Sequence, residues 1–190
     1  MYLMLMLAAQ CMPNTIVLYT DYRFSWNAGS IGAYLTVVGI ASMLVQALVV
    51  KRFVDRFGER AAVIVGFVGY TVAFLIYASA PIGAVFVAAA PFFALGGLVV
   101  PSVQAQATRR VVETEQGQLQ GALAALTGLS GLATPLLYTS VFAFAIGPGR
   151  SFLPAGSHMY LAAMFLAAGV LLALRYVERP GTLTSPAAVS

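Results

Sequence analysis

The stretch "KRFVDRFGER", residues 51–60, places six charged side chains in ten positions. The whole chain of 190 residues holds only ten Lys and Arg and six Asp and Glu, so more than a third of its charge sits here. On either side the sequence is almost purely apolar, with "YLTVVGIASMLVQALVV" (residues 34–50) before it and "AAVIVGFVGYTVAFLIYASA" (residues 61–80) after it. A charged run between two such apolar runs reads as the junction between two membrane-crossing helices.

Composition supports that reading for the whole chain. It is 61% hydrophobic and 8% charged, with a mean hydropathy of +0.90. Soluble domains are roughly half apolar and about a quarter charged, because their surface must face water. This chain cannot cover a surface with charge, so its main solvent is lipid. The net charge of +4 is then read as basic cytoplasmic loops rather than as a nucleic-acid surface. The single cysteine, Cys11, excludes an internal disulfide. The start, "MYLMLMLAAQC", has no basic n-region, and Gln10 stands where lipoprotein cleavage wants a small residue. It reads as a membrane span, and as one with further chain expected in front of it.

Cutting at charges and turn signals predicts six spans: Tyr2–Tyr19, Gly29–Val50, Ala61–Ser79, Gly83–Val103, Gln118–Ala145 and Met159–Val177. Each approaches the roughly 20 residues that a helix needs to cross, and none contains Asp, Glu, Lys or Arg except Arg175 near the end of the last. If the spans alternate in direction, Lys51, Arg52, Arg56, Arg60, Arg109, Arg110, Arg175 and Arg179 share one side, against Arg23 and Arg150 on the other. Eight against two assigns the basic side, and both termini, to the cytoplasm. Tyr19, Tyr22 and Trp26 are then expected in the outer interfacial belt. Residues 1–178 form the bundle, and the Pro/Ser/Thr-rich residues 179–190 a disordered cytoplasmic tail.

Several residues inside the spans carry a possible meaning. Gly66, Gly69, Gly96, Gly97, Gly121, Gly128 and Gly131 point to close helix packing. Pro13, Pro91 and Pro135 free backbone carbonyls at membrane depth. Pro13 and Pro91 occupy the first span of each half of a possible three-plus-three repeat, a pointer to a cavity. Gln10 and Asn14 are four apart and share one helix face. They either line a substrate cavity or hydrogen-bond between helices, and the residues alone leave both readings open. Gln46 and Gln104, nearer the cytoplasmic ends, favour the structural reading. Thr114 is placed to cap the following helix, with Glu115 in its first turn. His158, the one histidine, has no partner for a metal site and is read as a helix-end residue at the interface. No nucleophile–base pair is visible, so an enzyme is not expected, nor is a cofactor.

Two stretches carry a resemblance. "VDRFGER" resembles the cytoplasmic loop motif of the major facilitator superfamily, Gly-x-x-x-Asp-Arg-x-Gly-x-Arg. Asp55, Arg56, Gly58 and Arg60 match it, and Lys51 stands at its first glycine. "VPSVQAQATRRVVETEQGQLQGALAALTGLSGLATPLLYTSVFAFA" (residues 100–145) is similar to the region joining the tenth and eleventh helices of tetracycline-efflux-type drug:proton antiporters. The resemblance implies an all-α membrane fold, with six transmembrane helices forming the C-terminal half of a twelve-helix transporter. It implies two halves rocking about a central cavity, with Asp55 approaching a helix end of the other half in one state only. Arg56 and Arg60 would pair with neighbouring acids. Arg109, Arg110, Gln116, Gly117, Gln120 and Gly121 would form the matching loop and helix start.

The implied function is proton-coupled export of small amphipathic, drug-like molecules, tetracycline-type among them, across a bacterial inner membrane. Partners would be the lipid bilayer, the missing N-terminal half, the substrate and the proton. Exporters of this type carry a histidine in the eighth helix and an acid in the ninth, where this chain has Ser42 and Tyr70. A coupling acid is therefore expected from outside this half. The alternative is a truncated or orphan membrane module that binds or assembles without transporting.

Overall fold

At membrane depth every backbone N–H and C=O must find its partner within the segment or within the protein, which leaves helices for apolar runs of this length. A computed structural model describes residues 1–109 and 111–176. They form α1 (Tyr2–Ala9), α2 (Cys11–Phe24), α3 (Ala28–Leu44), a π-helical turn (Val45–Val50), α4 (Lys51–Ser79), α5 (Gly83–Ala88), α6 (Ala90–Leu95), a 3-10 turn (Gly96–Leu98), α7 (Val99–Thr108), a second 3-10 turn (Glu113–Glu115), α8 (Gln116–Ile146) and α9 (Ser157–Tyr176). Arg110 and residues 177–190, with the tail assigned to them, lie outside the described residues.

By length and composition, five helical stretches among the described residues can cross a membrane: Tyr2–Phe24, Ala28–Ser79, Gly83–Thr108, Glu113–Ile146 and Ser157–Arg175. The second is 52 residues long. Straight, it would measure about 78 Å against a hydrocarbon core of roughly 30 Å. It is not straight. Gly58 adopts φ 80 and ψ 164, a backbone conformation that breaks the helix. The Tyr34 hydroxyl donates to that of Tyr77 at 2.8 Å, although 43 residues separate them. In one continuous helix they would stand about 65 Å apart. The chain therefore reverses at Gly58 and makes six passes.

The reversal corrects one boundary. Hydropathy predicts a loop over "KRFVDRFGER", but residues 51–57 continue the helix of the second pass and residues 59 onward belong to the third. A helix can continue into water with its backbone bonds intact, so hydropathy marks where the membrane ends and not where the helix ends.

The third pass, the part of α4 after Gly58, forms the centre and packs on α9, α6 and α7. Glycines permit the closest approaches. A Cβ on Gly66 would stand 2.5 Å from Val99 Cγ2, and one on Gly69 2.8 Å from Leu95 Cβ. Gly169 admits the Phe67 ring in the same way. The glycines of α8 behave otherwise, since added methyls at Gly121 and Gly128 would meet nothing within 4 Å. That helix lies at the edge of the bundle, with Leu129, Leu132 and Leu136 exposed.

Far from Gly58, Tyr19, Tyr34, Tyr77, Phe86 and Phe142 form an aromatic core. Tyr19 is not in the interfacial belt that its position suggests. It is fully buried and donates to the Tyr77 carbonyl at 3.1 Å. Tyr22 and Trp26 remain partly exposed. His158 is likewise buried and not at an interface. Its ring lies 5.3 Å from that of Tyr19 and 5.1 Å from that of Phe142. Gly156, packed against the Ala78 backbone, tucks the start of α9 under the end of α4. Thr114 caps nothing. It sits inside the 3-10 turn, where Glu115 N–H donates to Val112 O at 2.9 Å.

Six passes make a topological prediction. In a Cys11→Ser background, Asp55→Cys and Val112→Cys should react with a membrane-impermeant maleimide from one side, and Arg23→Cys and Arg150→Cys only from the other. All four positions are exposed. Labelling of positions 112 and 23 from the same side would mean that Ala28–Ser79 crosses only once.

Candidate functional site

Two passes are broken, and both breaks trace to proline. Proline lacks an N–H and its ring crowds the carbonyl four residues earlier. Before Pro13 the first pass breaks at Gln10, and before Pro91 the fourth breaks at Ala89. These are the two prolines that the repeat pairs. α8 carries Pro135 without a break.

At the first break, Asn14 Nδ2 donates to the Gln10 carbonyl at 2.7 Å. The carbonyl that loses its helical donor to Pro13 is that of Ala9, and the amide engages the one next to it. The side chain of Gln10 reaches α8, its Nε2 lying 3.5 Å from where a Gly131 Cβ would be. Both residues are half-buried on one face. That face continues through Val17 and Leu18 to Asp21, all three exposed. Cutting the chain at its charges puts Asp21 in a joint. In fact α2 runs to Phe24 and carries Asp21 in its last turn.

A second irregular region lies nearer Gly58. The π-helical turn of the second pass meets the 3-10 turn of the fourth, with Gln46 Cγ 3.6 Å from the place of a Gly97 Cβ. Such departures from α geometry recur at functional sites. Tyr70 lies over Gly96, where a Cβ would be 2.6 Å from its ring, and packs against Phe93 with centroids 4.8 Å apart and the rings inclined at 58°. The position at which the resemblance places an acid is thus filled by an aromatic packed on glycine. On α7, Ser102 Oγ and Gln106 Nε2 are buried without a partner among the described residues. Sequence reading singles out Gln104 instead. The four-residue spacing of Ser102 and Gln106 is the signal available for finding them.

Around the reversal, contacts tie three parts of the chain together. Glu59 pairs with Arg109 at 2.8 Å, joining the third pass to the connection after α7. Arg60 Nη2 donates to the Leu174 carbonyl at 3.1 Å, near the end of α9. Arg56 lies over the Phe57 ring at 5.5 Å. The resemblance has the arginines pairing with acids, but Arg60 caps a helix end and Arg56 stacks. The acid of this stretch that is paired is Glu59, outside the motif's specified positions, and its partner is Arg109. Asp55 is exposed and makes no hydrogen bond or ion pair among the described residues. Gln116, Gly117, Gln120 and Gly121 lie at the start of α8, all four exposed, and methyls at the two glycines would meet nothing within 4 Å. No cluster of three or more His, Cys, Asp or Glu residues is present among the described residues.

The sequence profile of the Major Facilitator Superfamily matches residues 1–189, and the chain belongs to that family. It is 36% identical over 142 residues to the class C tetracycline resistance protein of Escherichia coli, covering 75% of this chain and 36% of that protein. It is 30% identical over 145 residues to the class H tetracycline resistance protein of Pasteurella multocida, covering 76% and 36% respectively. The mouse protein named hippocampus abundant transcript 1 is 25% identical over 132 residues, covering 68% of this chain and 26% of its own length. The matched stretch is thus about a third of the length of the tetracycline resistance proteins. No solved structure matches the chain significantly.

Proposed function

We propose that this chain is one six-pass half, the C-terminal one, of a proton-coupled exporter of amphipathic drug-like molecules, tetracycline-type among them, in a bacterial inner membrane. The observation that carries the reading is the likeness to tetracycline resistance proteins along a stretch about a third of their length. The paired breaks in the first and fourth passes support a cavity there, since irregular backbone at membrane depth is tolerated beside protein or a wet cavity. Gln10 and Asn14 line that cavity in this proposal. The exposed apolar faces of α3 (Ile40, Met43, Leu44) and α8 (Leu129, Leu132, Leu136) are where the other half would pack.

Asp55 is the gating residue of the reading. Its motif neighbours Glu59 and Arg60 are engaged within this chain, while its own carboxylate is exposed. A contact made in one conformer only biases the transport equilibrium by its own energy. The basic side is cytoplasmic by charge bias.

The test is drug accumulation in cells expressing a full-length protein that contains this chain. The parent should lower accumulation relative to empty cells. Asp55→Asn should cut export by up to about thirtyfold at unchanged abundance, the scale of a helix charge–dipole contact of roughly 2 kcal/mol. Accumulation in the parent equal to that in empty cells would overturn the transport reading. Normal export by the Asp55→Asn variant would overturn the gating role alone.

A further inference from the structure

The third and fourth passes run antiparallel, and their contacts fix a register. Gly69 lies against Leu95, Gly66 against Val99, and Glu59 pairs with Arg109. Seven residues on from Gly66 and Val99, about two helical turns along each pass, stand Glu59 and Gln106. The register therefore sets these two opposite each other. Ser102 lies one turn deeper on the same face of α7, and Gln106 leans toward it, as helical side chains lean toward the N-terminus of their helix. Ser102 Oγ and Gln106 Nε2 are both buried without a hydrogen-bond partner among the described residues. We propose that Glu59 has two positions. In the outer one it holds Arg109 and ties the connection after α7 to the third pass. In the inner one it turns to the Gln106 amide and the Ser102 hydroxyl, and the connection is released.

The chemistry of the two sides matches. An ionised carboxylate only accepts hydrogen bonds, while an amide N–H and a hydroxyl O–H donate. Buried donors left unpaired are costly, so two on one face call for an acceptor. Glu59 is the acid at hand. Its side chain is 15% exposed, whereas Asp55, Glu113 and Glu115 are all exposed. It is also free to turn. Gly58 breaks the helix just before it, so no preceding helical turn crowds its side chain.

Neither position has a large advantage. Arg109 is 75% exposed, and an ion pair with so wet a partner gains little. The inner hydrogen bonds are charge-assisted and stronger, but they strip the carboxylate of the water it still touches. Two arrangements so closely opposed are what a switch requires. This one lies within a single six-pass unit and needs neither another half nor a substrate.

A released connection is open to protease, and trypsin cuts after arginine. The full chain in non-ionic detergent micelles is treated with dilute trypsin, and the fragment ending at Arg109 is followed by mass. Gln106→Met keeps the shape of the side chain and removes its amide. It should slow this cleavage about tenfold, the scale of one hydrogen bond to a charged group. Ser102→Ala should slow it as well, and carries the test if Gln106→Met does not fold. Resistance of the buried Cys11 to a thiol reagent shows which variants are folded. Glu59→Ala removes both positions. It should speed cleavage by up to about fivefold, the scale of an exposed ion pair, and adding Gln106→Met should then change nothing. A packing role for Gln106 predicts the opposite sign, since a loosened bundle is cut faster. Unchanged or faster cleavage of a folded Gln106→Met or Ser102→Ala chain would overturn the proposal. Equal slowing by Gln106→Met with and without Glu59 would overturn it too, because Gln106 would then act independently of the acid.

Discussion

Replacing Gly58 by alanine should destabilise this chain by about 1–3 kcal/mol, the cost of holding a side chain in a backbone region that glycine alone occupies freely. At φ 80 and ψ 164 a Cβ is strained whatever space surrounds it. The loss should also spread. The reversal aims Glu59 at Arg109 and Arg60 at the Leu174 carbonyl. A displaced backbone would therefore loosen the ends of the third, fourth and sixth passes together. The Glu59–Arg109 pair contributes little by itself, because Arg109 is 75% exposed and such pairs give at most about 1 kcal/mol. Backbone strain is the larger effect.

The readout is built into the chain. Cys11 is the single cysteine and is fully buried, so a fluorogenic thiol reagent labels it only as the bundle opens. Gly58→Ala should bring labelling forward by several degrees on heating. Gly39→Ala serves as the control. Gly39 is helical and its added methyl would meet nothing within 4 Å, so its variant should be neutral or slightly stabilised. Identical labelling temperatures for Gly58→Ala and the parent would mean that the chain does not depend on this conformation to turn.

Much of the architecture was legible because lipid imposes a coarse rule. Apolar runs of the right length between charges must be passes, and the six runs so cut correspond to the six passes of the fold. What was lost lies at their ends. Charge marks the membrane boundary, yet a helix continues into water with its hydrogen bonds intact. Residues 51–57 and Asp21 therefore read as loop although both are helical. Burial of Tyr19 and His158 was hidden for a related reason. Both stand at pass ends, where composition fits an interface, and only the turn that tucks α9 under α4 takes them inside.

Of the site, the prolines were readable because their effect is local, acting on the carbonyl four residues back. The kink at Gln10 and the break at Ala89 followed. The residues alone leave the role of Asn14 open, and the structure gives its amide to the Gln10 carbonyl. The partners of Glu59 and Arg60 could not be read, because they come from the chain 50 and 114 residues away. Sequence spacing carries no record of such distances.

The largest effect expected of any experiment is all-or-none. On the proposed reading this chain is one half of a rocking transporter and offers a single wall, and the faces of α3 and α8 with Ile40, Met43, Leu132 and Leu136 are exposed. Residues 1–190 alone should therefore insert without exporting. A co-expressed N-terminal half from a tetracycline resistance protein would cover those faces and complete the cavity. The direct measurement is efflux of a fluorescent tetracycline from cells expressing this chain, with and without that half, at matched abundance. The account predicts no efflux from the chain alone and partial recovery with its partner. Proton-dependent efflux by the 190-residue chain alone would contradict it, because one wall, or two copies of one wall, would then suffice.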